Sequence, residues 1–246
     1  MLAMTVGALF AQQGTEFEVA SVRVHDAPLT RIMGLTISGT RVRLEGYSVF
    51  GLVMEAYRVK NFQVSLARVS RQESEIGEVY YDIDARTPGE RSASRPELAR
   101  MLQTLLMDRF RLAIHRETRE MQVFALVEGK GGGRLKKSEG SGECAVRVQV
   151  SGNGRTYDEV FTNCKLDALV DQLGNLVSGP VVNQADLSGV YDFRIVATPG
   201  FLGRQGGEAE DIGVASALAG LGLKLERRKV AIEVIAVDHV ERPSAN

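Results

Sequence analysis

The chain has 246 residues, 44% hydrophobic and 25% charged, with 30 Lys and Arg against 31 Asp and Glu and a sequence pI near 6.4. A chain of this size can bury enough surface to fold without a metal staple, as one large or two small domains. It lacks the basic excess by which nucleic-acid binders draw affinity from phosphate contacts, and no apolar run reaches the length that spans a bilayer.

Residues 1–14 open with MLAMTVGALFA and turn polar at Gln12. This reads as the hydrophobic and cleavage regions of a secretory signal, with Ala11 the last residue before the cut, although no basic residue precedes Arg23. A frayed apolar terminus or a short buried strand is the alternative. Phe17 to Val24 follows as an edge strand. Thr36 to Leu44 is expected to be extended and to lead into a helix from about Ser48 to Arg58, whose apolar stripe is Val49, Leu52, Val53, Ala56 and Tyr57. Val79 to Arg86 alternates as a strand and ends in a Pro-Gly turn. A helix starting near Pro96 presents Leu98, Met101, Leu102, Leu105 and Leu106. Phe110 to Ile114 and Met121 to Val127 then form a closing hairpin.

The Gly-rich stretch 129–143 reads as a linker. Beyond it the same order recurs. Val146 to Tyr157 is extended, and a helix begins at Asn163 as N-cap, with Leu166, Leu169, Val170, Leu173, Leu176 and Val177 on one stripe. Val190 to Gly200 matches 79–89 in its Tyr-Asp pair and Pro-Gly end, about 110 positions on. A flexible loop over 199–213 precedes a helix from about Ile212, and a hairpin with Arg227-Arg228-Lys229 in its turn closes the chain. The expected fold is therefore α+β: two tandem, related β-α-β-β-α-β-β units, mainly antiparallel, with helices packed on one face. Their bounds are 15–128 and 144–246, joined through 129–143.

No constellation of catalytic type emerges. His25, His115 and His239 are the only histidines. His115 and Glu117 share a strand face but lack the P-C-x-x-C that a zinc deaminase pairs with H-x-E. Asp82 and Asp84 alternate on one strand and could serve acid–base chemistry or a hard cation, yet the second copy has Asp192 with Arg194 in the other place. Exposed polar strand faces explain both. No G-x-S-x-G elbow or phosphate-cradling loop occurs. Catalytic, cofactor and metal residues are accordingly assigned to none, and no cofactor is expected. Cys144 and Cys164 lack zinc spacing. In an exported chain they are expected to form a disulfide; two separate buried thiols are the alternative.

Several segments together resemble a known family: FEVASVRV (17–24), NFQVS (61–65), YYDIDARTPGE (80–90), the block 101–138 from MLQTLLMDRF to GGGRLKKS, LSGVYDFRIVATPG (187–200) and the ending 220–244. The chain is similar to the uncharacterised soil-associated bacterial protein family, a domain of unknown function also found fused to BlaR-type membrane metallopeptidases. The resemblance implies export and no assigned activity. It departs at Leu66-Ala67-Arg68, where family members carry a Gly-Pro turn. A likeness to the small β-α-β domains of secretins and TonB-dependent receptors rests on pattern alone.

The functional expectation is a non-catalytic extracytoplasmic binding or sensing module, secreted or periplasmic. Its partners are expected to be envelope or extracellular proteins or peptides, not nucleic acid, and it is not expected to be an integral membrane protein once the signal is removed. The alternatives are a secreted hydrolase built around Asp82, Asp84 and His115, and a structural secreted protein.

Overall fold

The computed structural model describes residues 15–26, 34–70, 78–151, 156–177, 179–197 and 212–243. The signal reading of residues 1–14 and nearly all of the 199–213 loop lie outside them. The fold is α+β, with four helices and twelve strands among the described residues and mostly antiparallel pairing. The chain divides into two compact units, one made of Met1–Arg119 with Ile232–Asn246 and the other of Glu120–Ala231.

The first unit contains β1 (Val19–Val24), β2 (Gly34–Ser38), β3 (Arg41–Ser48), α1 (Val49–Tyr57), β4 (Val64–Ser65), β5 (Tyr80–Arg86) and α2 (Arg95–Phe110). Four of its strands form an antiparallel sheet in the order β1-β5-β3-β2. The run 36–44, expected to be one extended segment, is a hairpin instead. Ser38 pairs with Arg41, and Gly39 takes φ +57° as the first of two turn residues. That left-handed φ is the one a two-residue turn uses to match strand twist, and a single glycine between Ser38 and Thr40, in a run otherwise rich in β-branched residues, left it unmarked in the sequence. Ser48 caps α1 by accepting the Gly51 N–H at 3.1 Å. At the start of α2 the Ser94 N–H donates to Glu97 Oε2 at 2.7 Å. Arg91, and then Ser94, hold the Glu97 carboxyl down to about 2. The helices bury Leu52, Val53, Leu102, Leu106 and Phe110 with the inward residues of the sheet, and Tyr81 meets Phe110 edge-to-face with ring centroids 5.1 Å apart.

The second unit contains β7 (Lys136–Lys137), β8 (Ala145–Ser151), β9 (Thr156–Cys164), α3 (Leu166–Leu176), β10 (Val181–Asn183), β11 (Tyr191–Ala197) and α4 (Ile212–Gly220). Its antiparallel sheet runs β7-β11-β9-β8. In each unit the strand preceding the first helix thus lies between a hairpin partner at the edge and the Tyr-Asp strand. The predicted stripe of α3 is buried, from Leu166 through Leu176. Asn163, however, is not its N-cap: that position belongs to Lys165, and Asn163 has a left-handed φ of 55°.

Two long strands, β6 (Ala113–Glu128) and β12 (Leu223–His239), replace the two expected closing hairpins. The charged stretches HRETRE and ERRK resemble turns because they lack apolar residues. They contain no Gly or Pro, and cross-strand ion pairs carry them through: Arg116 with Glu233, and Lys229 with Glu120. Arg227, expected in a turn, lies mid-strand with its guanidinium 5.3 Å from the Phe124 ring centroid. Two short parallel pairings have no counterpart in the sequence pattern: β4 with β12 (Val64 opposite Ile235) and β10 with β6 (Val181 opposite Phe124).

The division between units falls inside β6 and β12, at 119/120 and 231/232, rather than in the Gly-rich stretch. That stretch is packed into the second unit. The Gly129 N–H donates to the Gly222 carbonyl at 2.7 Å, the Arg134 N–H to the Leu221 carbonyl at 2.8 Å, and β7 pairs with β11.

Candidate functional site

The Tyr-Asp motif singled out in the sequence has a backbone role in both units. In β5 the ring of Tyr81 is buried, and Asp82 Oδ1 accepts the Gly46 N–H at 2.9 Å. In β11 Tyr191 is buried, and Asp192 Oδ1 accepts the Asn163 N–H at 2.7 Å. Gly46 (φ 69°) and Asn163 (φ 55°) are both left-handed and sit where the strand register shifts, just ahead of a helix. Each Asp therefore holds the irregular step by which a central strand hands over to its helix. The Asn163 N–H, and then the Ser138 hydroxyl, keep the Asp192 carboxyl below the usual range.

The acid–base candidates each have a partner of their own. His25 Nδ1 lies 2.7 Å from Asp82 Oδ1. Asp84 accepts the Arg41 Nε–H at 2.9 Å and is held below the usual carboxylate range by that guanidinium. In the second unit the charges are exchanged: Arg194 takes the place of Asp84 and donates from Nε to Asp158 at 2.7 Å. His115 Nδ1 contacts Asp238 on β12 at 2.7 Å, with Glu117 at 3.6 Å, and His239 pairs with Glu241 at 3.0 Å. The structure thus puts Asp82 and Asp84 on one strand of the sheet and His115 on β6 with a different acid. Among the described residues no group of three or more His, Cys, Asp or Glu is placed to hold a metal ion.

Cys144 and Cys164 are joined in a disulfide across a sequence separation of 20, with their Cα atoms 4.5 Å apart. The link fastens the start of β8 to the end of β9, next to the Ala145–Thr162 pair.

β8 is an edge strand of the second unit's sheet. β8 pairs with β9 on one side only, and no described strand lies on its other side. It reads AVRVQVS, and its valines fall on the face that carries Phe161 and Tyr157, because cross-strand partners share a face: Val146 with Phe161, Val148 with Glu159, Val150 with Tyr157. Val148 remains 44% exposed and Val150 53% exposed. Between Val148 and Ile195 of β11, on the same face, stands Glu159. Its side chain is 2% exposed, and its Oε2 has no hydrogen-bond partner among the described residues. Burial pushes its carboxyl up from the ordinary glutamate range. Hydrophobic patterning singled out neither the edge nor this acid, because a glutamate in an alternating strand reads as solvent-facing.

In the first unit Tyr47, Met54, Leu98 and Leu102 line a groove of about 490 Å³ between α1 and α2, with Glu55 and Arg95 paired at 3.6 Å on its wall.

A family model described as a protein of unknown function, DUF3738, matches residues 51–240. The chain belongs to the DUF3738 family. No curated protein and no solved structure matches it. The DUF3738 match takes in both cysteines, all of β8 and β9, and Glu159, while β1, β2 and β3 precede it.

Glu159 gives this DUF3738 chain a pH signature. A carboxyl whose pKa is raised by folding binds its proton more tightly in the native state, so its share of stability is fully present below the unfolded value and is lost as pH rises through the folded value. Asp84, Asp158 and Asp192, held low, work in the opposite sense. Glu159→Leu is therefore expected to stabilise the protein by about 1–3 kcal/mol at neutral pH. The gain should shrink toward zero as pH falls to the ordinary glutamate range. Urea midpoints of wild type and variant between pH 4 and pH 8 measure this; a gain independent of pH would refute the assignment.

Proposed function

We propose that this protein is a non-catalytic extracytoplasmic binding module that takes up an extended segment of a partner polypeptide as an added strand on β8. The observation that carries the reading is the β8 edge itself: seven residues of ladder with one side unpaired among the described residues, and Val148 and Val150 exposed on its apolar face. Native sheets usually blunt such edges with charge, proline or a bulge, because an open apolar edge templates further strands. An edge with one apolar face, its Arg147 and Gln149 turned to the other, suits a surface that binds by strand addition, where backbone hydrogen bonds supply affinity and alternate side chains supply selectivity.

The disulfide supports an oxidising compartment, since such links are rare where thiols are kept reduced. No helix among the described residues is long and apolar enough to cross a membrane. Partners in this reading are envelope or extracellular proteins or peptides. The elements recurring in the same order support a tandem origin for the two units, leaving the second free to specialise its edge. The test places a photo-crosslinking residue at Val150 and irradiates the full chain in the envelope of the cells that make it. Mass spectrometry is expected to find an extended segment of a second polypeptide joined at residue 150, and not when the probe is moved to Glu90 on the first unit. Recovery of uncrosslinked monomer alone would overturn the proposal.

A further inference from the structure

In the register of the first sheet, Val42 of β3 stands between Ile37 of β2 and Ala85 of β5 and is 0% exposed. Glu159 of β9 holds the same place in the second sheet, between Val148 of β8 and Ile195 of β11. The two positions share strand order, neighbours on both sides and distance from the Tyr-Asp strand's Asp. One is filled by valine and the other by an acid. The valine shows what packing alone asks for. A buried carboxylate oxygen without a hydrogen-bond partner among the described residues, as Glu159 Oε2 is, is costly, and a local rule broken in this way points to a site whose compensation comes from outside.

The direction from which compensation can come is set by the neighbours. Ile195 is buried on the β11 side, whereas on the β8 side the cross-strand neighbour is Val148, itself 44% exposed, and beyond β8 no described strand lies. A strand added to β8 lies two strand spacings, about 10 Å, from β9. Its side chain opposite Val148 points to the same face as Glu159. A lysine there would lay its four-carbon stem along Val148 and Val150 and bring its ammonium to the carboxylate, burying apolar stem and pairing charge in one contact. An apolar side chain at that place would cover the valines but leave the acid unpaired.

We propose that Glu159 is the selectivity residue of the β8 edge and that the partner strand carries a lysine opposite Val148. This inference rests on the strand-addition reading above and deepens it by naming the side chain the site selects. A charge pair formed on desolvation gives more discrimination than a rim pair, because either partner alone is left buried and uncompensated.

The experiment uses the full chain and fluorescein-labelled synthetic strands of alternating threonine and valine whose central residue is lysine, norleucine or glutamate, read by anisotropy. The lysine strand is expected to bind at least tenfold more tightly than the norleucine strand, and the glutamate strand more weakly still. In Glu159→Gln, a variant that removes the charge with little change of shape, the norleucine strand should bind more tightly than it does to wild type and the lysine preference should fall below twofold. Equal binding of the three strands, or a lysine preference that survives Glu159→Gln, overturns the selectivity role while leaving strand addition intact. A lysine strand N-methylated on the alternate backbone amides that would face β8 is expected not to bind. If it binds as well as its parent, or if no strand binds at all, both the strand-addition reading and the role of Glu159 fall.

Discussion

Replacing Gly222 by alanine is expected to lower stability by about 3–5 kcal/mol, combining left-handed strain with overpacking against rigid backbone. Gly222 links α4 to β12 with φ +72°, a conformation that disfavours any side chain. A Cβ there would overlap the Gly132 carbonyl oxygen and come within 3.0 Å of the Arg134 nitrogen, and neither can move as a flexible side chain would. The crowding exists because the Gly-rich stretch is laid against this turn by the Gly129–Gly222 and Arg134–Leu221 hydrogen bonds. The control is Gly39, also left-handed at φ +57° but with no atom within 4 Å of the place a Cβ would take. Gly39→Ala should cost only the conformational part, about 1–2 kcal/mol. Urea denaturation of both variants separates the two contributions. Equal costs would mean that the close approach of residues 129–134 to Gly222 does not exist in solution.

That contrast also shows where sequence patterning succeeds and where it stops. The helix stripes of Leu52 and Val53, of Leu102 and Leu106, and of Leu169 and Leu173 were legible because each repeats at helical spacing and each is buried. The Tyr81-Asp82 and Tyr191-Asp192 pairs were visible as a recurrence, but their purpose was not. An Asp accepting the N–H of a left-handed residue some thirty positions away leaves no local trace. The turns were misplaced in both directions. Gly39 and Thr40 form a real turn with one weak signal, while Arg227 to Lys229 form none despite a run of charge, because their partners Glu120 and Glu226 are met only across or along a strand. The Gly-rich stretch reads as a linker by composition, yet its glycines serve close backbone packing. Glu159 was illegible for a further reason. Alternation assigns faces only if the burial of each face is known, and Tyr157, Glu159 and Phe161 lie on the covered one.

Opening the Cys144–Cys164 link is expected to cost about 3 kcal/mol of stability, the amount that closing a loop of this length removes from the unfolded chain's entropy. Two preparations separate the link from the packing of its sulfurs. Reduced wild type keeps both thiols, and Cys164, which is 0% exposed, stays in place as a small hydrophobe. The double variant Cys144→Ala with Cys164→Ala loses the link and also the buried sulfur volume, so it should be less stable than the reduced protein by a further ~1 kcal/mol. The link also bears on the edge. It holds the start of β8 against β9 at the Ala145–Thr162 pair, while the other side of β8 has no described strand to steady it. Without the link β8 must be ordered at the moment of binding, and ordering of that kind is subtracted from affinity. The lysine strand should therefore bind reduced wild type several-fold more weakly, with its preference over norleucine unchanged, since Glu159 is untouched. A loss of preference along with affinity would instead mean that the disulfide, and not Glu159, shapes what the edge selects.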